Sequence, residues 1–320
     1  TTRLGRPPPR QAGNAVSTYL IKRLVASLFA VWGVATLTFI LLRVTADPAA
    51  LLVGEQATPE RLADVRHRLG LDRPLLVQYG DFMSGVVRLD FGESYRFNEP
   101  AMGMVIDRLP LSLRLSTAAF VVALVLAIPL AVASAVWRNT FIDYVASFLS
   151  FVGFAMPAFW LGAMAIILFS VQLKWLPTSG AGDLKHYILP TATLATWPLG
   201  QFTRLLRSEL LNVFHEDYVR TARAKGLAEQ IIVLRHALKN AFLPVLTLIG
   251  LSFGTLLGGA IITETIFAWP GIGRLIIQAT LNRDFPLIEA SVILLATGFV
   301  TINLIVDLLY GVLDPRIKLA

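Results

Sequence analysis

Long apolar stretches without a single Asp, Glu, Lys or Arg constrain this chain more than any other feature. They run over Leu24–Leu42, Leu115–Trp137, Tyr144–Leu173, Tyr187–Thr203, Ala241–Thr263 and Ala290–Val306. Crossing a hydrocarbon core of about 30 Å takes about 20 mainly apolar residues in a helix. Helices also satisfy their own backbone hydrogen bonds, which lipid does not do for them. The expected fold is therefore an all-α membrane protein with six transmembrane helices. The fourth span is short and carries Pro190 and Pro198, which break it. Tyr144–Leu173 is too long for one straight span and has Pro157 near its middle, so a kinked or tilted helix is expected there, with two tight re-entrant segments as the alternative. Leu24–Leu42 is longer than the apolar core of a signal peptide and is read as an uncleaved span.

Composition agrees. Of 320 residues, 55% are apolar and 15% charged, against roughly 25% charged in an average soluble domain. With no cysteine, disulfides, thiolate zinc sites, iron–sulfur clusters and a thiol nucleophile are excluded. The net charge of +7 reads as a topology signal. The segment up to Arg23 carries Arg3, Arg6, Arg10, Lys22 and Arg23 with no acid, and the loop 204–240 holds seven Lys/Arg residues. Positive charge stays inside, so both termini and the 204–240 loop are expected in the cytoplasm and the long 43–114 loop outside. Residues 1–19 form a cytoplasmic tail, and its first 17 residues, polar and Pro/Arg-rich, are expected to be disordered. Nucleic-acid binding needs a concentrated basic face with aromatic platforms and is not expected.

Chemistry-bearing motifs are scarce. There is no phosphate loop. Gly271-Ile272-Gly273 lacks the third glycine of a dinucleotide site, and Gly250-Leu-Ser-Phe-Gly254 lies inside an apolar span rather than at a strand-to-helix elbow. His67, His186, His215 and His236 are scattered over loops, so no metal site is expected. No catalytic residue and no bound cofactor are expected, and the chain is not read as an enzyme. The six span cores also lack the acids and bases that ion-coupled carriers place near the midplane. Energy for uphill transport is then expected to enter through the cytoplasmic loop.

Two loops invite closer reading. Outside, Thr58-Pro59-Glu60 is a helix start, with Leu62, Val65 and Leu69 on one face and Gly70 as the stop. Leu75, Leu76, Tyr79, Phe82 and Val86 suggest a second amphipathic helix after Pro74. These helices lie on the membrane or the spans, or they serve the external mouth; sequence leaves both open. Inside, His215-Glu216-Asp217 precede a short helix Tyr218–Lys225 that ends at Gly226. Tyr218, Thr221, Ala222 and Lys225 share a face, and the small Ala222 and Ala224 would let a partner approach closely.

Asp217-Tyr-Val-Arg-Thr-Ala-Arg-Ala-Lys-Gly226, followed by Arg235-His-Ala-Leu-Lys-Asn240, resembles the coupling-helix motif of ABC importer permeases. More narrowly it resembles the peptide and nickel permeases, on the subunit with the long first external loop. Leu69-Gly-Leu-Asp-Arg-Pro-Leu75 with Gln78-Tyr79, Leu89-Asp-Phe-Gly-Glu-Ser94, Glu264-Thr-Ile-Phe-Ala-Trp-Pro-Gly-Ile-Gly-Arg-Leu275, Arg283-Asp-Phe-Pro286 and Leu313-Asp-Pro-Arg316 agree. The opening Glu-Ala-Ala of the general motif is replaced by Arg220-Thr221-Ala222.

The resemblance implies a type I importer permease fold over residues 20–320, in a prokaryotic cytoplasmic (inner) membrane. It implies a second homologous permease, two ABC ATPase subunits that bind ATP and Mg, an external solute-binding protein, and peptide cargo, with nickel or another small solute as the alternative. Glu216, Asp217, Tyr218, Thr221, Ala222, Arg223 and Gly226 would couple to the ATPase. Glu264, Phe267, Trp269, Pro270 and Gly271 would form the external mouth, contacting the binding protein or narrowing the exit. Met156-Pro157, Pro190 and Pro198 would free backbone groups to line a path, and Gly250, Gly254, Gly258 and Gly259 would pack the fifth helix. An autonomous carrier or channel is the rival of another class.

Overall fold

The computed structural model describes residues 10–45, 47–53 and 58–313, and those are helical apart from short connections. Helices α1 (Arg10–Thr45), α2 (Pro48–Val53), α3 (Pro59–Arg68) and α4 (Leu75–Arg88) precede α5 (Ala101–Val136). Then come α6 (Phe141–Ala155), α7 (Ala158–Ala165, running on as a π-helix to Gln172) and α8 (Leu184–Val213). The chain closes with α9 (Asp217–Ala224), α10 (Glu229–Ile231, running on as a π-helix to Ala237), α11 (Leu238–Ile266), α12 (Ile272–Leu281) and α13 (Phe285–Leu313).

By length and apolar character, α1, α5, the α10–α11 run and α13 qualify as membrane spans, and α6 with α7 makes a fifth if the bent pair is one span. The expected fourth span lies within α8, which is 30 residues long but not apolar enough to qualify by composition. Helix α1 already begins at Arg10, so the expected disordered tail is helical over its last part. Residues 1–9 and Asp314–Arg316 of the C-terminal motif lie outside the described residues.

Two proline expectations are corrected. Between α6 and α7 the chain turns by 108°, far beyond a kink. Met156 precedes Pro157 and is extended, with φ −82° and ψ 135°, the conformation a following proline imposes. Each half is too short to cross the core alone. In α8 the reverse holds: Pro190 and Pro198 both sit inside a continuous helix and are buried, as membrane helices allow.

The chain divides into two units. One contains the described residues up to Val105 together with those from Ala279 on; the other is Ile106–Gln278. In the first, α1 packs along α13, with Arg23 and Asp307 paired at 2.8 Å. Helix α4 lies on α1: Phe39 meets Tyr79 edge-on at 5.4 Å and Phe82 at 5.5 Å, and the Thr36 and Tyr79 hydroxyls share a hydrogen bond of 2.8 Å. Thr58 caps α3, its hydroxyl accepting from the Arg61 amide at 3.3 Å, and Gly70 ends that segment at φ 65°. Leu75 and Leu76 are exposed, so the second amphipathic face is partly covered only from Tyr79 through Phe82 to Val86. Buried Asp284 accepts from the Ser94 hydroxyl and, at 3.1 Å, from the Tyr95 amide. That contact joins the Leu89–Ser94 and Arg283–Pro286 motifs.

In the second unit, α8 packs against α6, α7 and α11. The seam of α5 is a ladder of alanines: Ala119, Ala123, Ala127, Ala131 and Ala135, all at i+4 and none more than 3% exposed. Small side chains at this spacing let helix backbones come close. Leu194, Phe202, Leu206, Leu210, Val245 and Leu256 fill the space around the ladder. The α6–α8 crossing is closer still. A Cβ on Gly200 would overlap the Ser150 carbonyl oxygen, and one on Gly153 would stand 2.9 Å from that of Thr196. At this crossing the glycines that make close contact are these two. Gly258 has nothing within 4 Å of where its Cβ would be, and Gly259 meets only Leu194 at 3.6 Å.

Gly200→Ala should lower stability by about 1–3 kcal/mol, the usual result of overpacking, while Gly258→Ala should change it little. Thermal unfolding of both purified variants in detergent checks this; equal midpoints would contradict the crossing.

Candidate functional site

The cytoplasmic loop is built around α9. Glu216 stands at its N-cap with φ −68° and ψ 147°, and Asp217 lies in its first turn, where an acid suits the helix dipole. Gly226 follows at φ 75°, a left-handed conformation that favours glycine. Val219 and Ala222 are buried and pack with Ile232 and Val213. Ala222 is thus part of the seat of the helix and not of its outer face, a correction to the expected set. The surface left outward carries Glu216, Asp217, Tyr218, Arg220, Thr221, Arg223 and Gly226.

Several of these side chains are already oriented. The Tyr218 hydroxyl accepts from Asn240 Nδ2 at 2.8 Å. Arg223 donates twice to Glu229, at 3.1 and 2.6 Å, and its guanidinium stands 6.0 Å from the Phe214 ring centroid. Thr221 Oγ1 donates to the Asp217 carbonyl at 2.9 Å. The short helix is therefore tied to α10 and α11 by its base and by its two ends.

Where this loop begins, the last part of α8 carries a buried cluster that the sequence reading missed. Arg207 donates to both oxygens of Asp143, Nε to Oδ1 and Nη2 to Oδ2, each at 2.8 Å. Ser134 Oγ donates to Asp143 Oδ1 at 2.5 Å, and the Asn139 amide reaches Oδ2 at 3.0 Å. Asp143 and Ser134 are 3% and 0% exposed. The cluster locks α5, α6 and α8 together at one end. Arg207 had been counted only as one of the loop's positive charges. The signal available in sequence was a lone Asp143 one residue before an apolar run.

The Glu264–Leu275 motif forms a knot rather than an open mouth. Glu264, Phe267 and Trp269 are at most 1% exposed, and Gly271 is also buried. Glu264 Oε2 accepts from the amides of Gly273 at 2.8 Å and Arg274 at 3.3 Å, capping α12 from the end of α11. A Cβ on Gly271 would overlap that carboxylate. Trp269 donates from Nε1 to the Leu111 carbonyl at 3.2 Å and meets Tyr187 edge-on at 4.5 Å. The Ile272 amide donates to Ser112 Oγ at 2.8 Å, and Arg108 reaches the half-buried Pro270's carbonyl at 3.4 Å. The expected mouth residues thus present almost no surface to a partner. They fasten α5, α8, α11 and α12.

A cavity of about 410 Å³ opens at the α6–α7 break, lined by Phe154, Met156, Pro157, Trp197, Pro198 and Gly259 among others. Phe154 and Trp197 stack at 6.3 Å. The breaks at Met156-Pro157 and the proline at 198 therefore do border one hollow, and Gly259 borders it too; Pro190 does not.

Breaking the buried pair should be costly. Asp143→Ala leaves Arg207 unpaired and is expected to cost roughly 3 kcal/mol, with Asp143→Asn falling between it and the parent. Denaturant or thermal unfolding in detergent measures this; an unchanged Asp143→Ala would show the cluster to be ornamental.

Comparison with known proteins fits this geometry. Residues 123–319 match the family described as "Binding-protein-dependent transport system inner membrane component", and residues 16–116 its N-terminal counterpart. The chain is 39% identical to the "Dipeptide transport system permease protein DppB" of Alkalihalophilus pseudofirmus, over 94% of this chain and 99% of that one. It is 42% identical to the "Glutathione transport system permease protein GsiC" of Salmonella choleraesuis, over 94% and 98%. Among solved structures, an inward-facing MetNI methionine ABC transporter aligns with a TM-score of 0.58 at 16% identity, over 67% of this chain and 97% of that one, which bears on the fold alone. The chain belongs to the family of inner-membrane components of binding-protein-dependent transport systems, the multi-pass permease subunits of ABC importers.

Proposed function

We propose that this chain is one permease of an ATP-driven peptide importer and that α9 is its lever. One observation carries the lever. A short helix is seated through Val219 and Ala222 while Glu216, Asp217, Tyr218, Thr221, Arg223 and Gly226 stay at the surface. Such a helix transmits a push to the helices it sits on instead of folding away. Peptide cargo rests on the dipeptide and glutathione permeases, similar along nearly the whole length.

In this reading α9 docks on one of two cytoplasmic ATPase subunits, which bind ATP and Mg. This chain binds no cofactor of its own. A second homologous permease supplies the other half of the path, and an external solute-binding protein delivers the peptide. Both termini face the cytoplasm, following the Lys/Arg excess of the N-terminal segment and the 204–240 loop. ATP drives the cycle only if the ATPase pair binds α9 differently in the two transport states. The Arg207–Asp143–Ser134 cluster stiffens the foot of α8 beside the lever. The hollow at the α6–α7 break is the wall this chain contributes to the path: apolar, aromatic and bordered by the interrupted backbone at Met156-Pro157. The Glu264–Trp269 knot fixes the frame without touching cargo.

Reconstitution of the assembled transporter in liposomes with labelled di- to oligopeptides and nickel tests this. ATP-dependent peptide uptake that requires all subunits is expected; uptake by this chain alone without ATP would make it a carrier or channel. Thr221→Trp and Gly226→Pro should insert normally and abolish transport-coupled ATP hydrolysis. Ala222→Trp should instead disturb the loop itself, because Ala222 faces inward. Normal transport by Thr221→Trp and Gly226→Pro would remove α9 from the coupling path.

A further inference from the structure

The Ile106–Gln278 unit holds a second cavity, of about 640 Å³, well within the size of small-molecule pockets. It is a groove between the last turns of α5 and α10 with its π-helical continuation. Pro129, Val132, Val136 and Trp137 line one side, and Val233 and Leu234 the other. Glu229 and Gln230 supply the only acid and amide among its lining residues. Val136, Trp137 and Leu234 are 38%, 51% and 63% exposed, so the groove is open to its surroundings. A space lined in this way offers water few partners and suits an apolar occupant.

The level of the groove narrows the choice. Helix α5 qualifies as a span, and its charge-free run ends at Trp137, with Arg138 next. That is where hydrocarbon gives way to headgroups, the level at which exposed tryptophan gathers. Arg138 follows one groove residue in the chain and Arg235 follows another. Both arginines are exposed, and neither side chain makes a hydrogen bond or ion pair with a described residue. The acid of the groove is already matched, because Glu229 is paired with Arg223 at 2.6 Å. Uncompensated positive charge therefore stands beside an apolar slot.

A partner helix about 10 Å across would use up this volume in about one and a half turns, too little to hold it. An acyl chain is slender enough to lie in the groove. Bilayer tails are as apolar as the groove itself, so an acyl chain alone gains little by entering. Selection must come from the head, and an anion is what two unmatched arginines recognise. We infer that this groove is a binding site for one anionic phospholipid of the surrounding membrane. Its acyl chain lies between α5 and the π-helical segment, and its phosphate lies at Arg138 and Arg235.

The groove shares a wall with the seat of α9. Ile232 packs with Val219 and Ala222, while the next two residues, Val233 and Leu234, line the groove. That wall is π-helical, a backbone form common at functional sites. A bound lipid braces the wall from behind. The site is separate from the hollow at the α6–α7 break, and it needs neither ATP nor the importer reading to hold.

Native mass spectrometry of the delipidated full chain in detergent tests this with three probes. They are phosphatidylglycerol, phosphatidylcholine with the same acyl chains, and glycerophosphoglycerol, which is the headgroup without them. One phosphatidylglycerol is expected to stay bound, phosphatidylcholine to bind at least about fivefold more weakly, and the bare headgroup not to be retained. Val136→Trp fills the groove and should abolish phosphatidylglycerol retention. Arg138→Gln combined with Arg235→Gln should instead erase the preference over phosphatidylcholine. Bound phosphatidylglycerol should also slow amide exchange over residues 229–237 in the unaltered chain and not in Val136→Trp. Unfolding midpoints of the variants control for folding, and the probe series on the unaltered chain stands without them. Equal retention of the two lipids, retention of the bare headgroup, or binding indifferent to all three substitutions would overturn the site. A second copy of the chain released by Val136→Trp would make the groove a protein contact and overturn the assignment equally.

Discussion

Lipid gives helices no hydrophobic reason to associate, so a membrane bundle depends on how closely its backbones can approach. Here that condition is met by the alanine ladder of α5 and by Gly153 and Gly200 where α6 crosses α8. Phe202, Leu206 and Leu210 reach the ladder because nothing larger than a methyl stands on it. Asp143 reaches Arg207 and Ser134 because α6 lies tight on α8. Once helices are that close, the remaining polar groups must pair internally. The Arg207 cluster and the Glu264 cap are how the Ile106–Gln278 unit does so at its ends.

Much of this was legible beforehand, and the failures share a cause. Charge-free runs located the helices because lipid removes most other ways to satisfy a backbone. Thr58, Gly70 and Gly226 gave helix ends because capping and left-handed turns are local chemistry. Proline was misjudged in both directions. Pro157 opens a 108° break, whereas Pro190 and Pro198 leave α8 intact. One residue's effect on a helix depends on what its neighbours can absorb, and a single sequence does not show those neighbours. The packing residues were misplaced for the same reason. The glycines at 258 and 259 stand out by type, while the i+4 alanine repeat of α5 is hidden inside a run that reads only as a span.

Motif resemblance worked differently. It identified segments that matter without saying which way they face. Glu264–Leu275 is the most specific match in the chain, yet its Glu264, Phe267 and Trp269 are interior. A motif can persist because it fastens helices rather than because it meets a partner, and burial separates the two. The same test split the coupling residues, since Ala222 turned inward while Tyr218, Thr221 and Arg223 stayed out. A small residue on a short amphipathic helix suits either face, so its size alone could not assign it.

Burial also picks out the charges that the fold uses. Asp143, Glu264 and Asp284 are deeply buried, and each accepts at least two hydrogen bonds from groups brought by another segment. Those bonds offset much of the cost of burying a carboxylate. Glu264 keeps Oε1 buried without a partner, so its two bonds to the start of α12 must outweigh that orphan as well. A carboxylate that bears such a cost is there to fasten α11 to α12, and its place is set by the fold rather than by a partner.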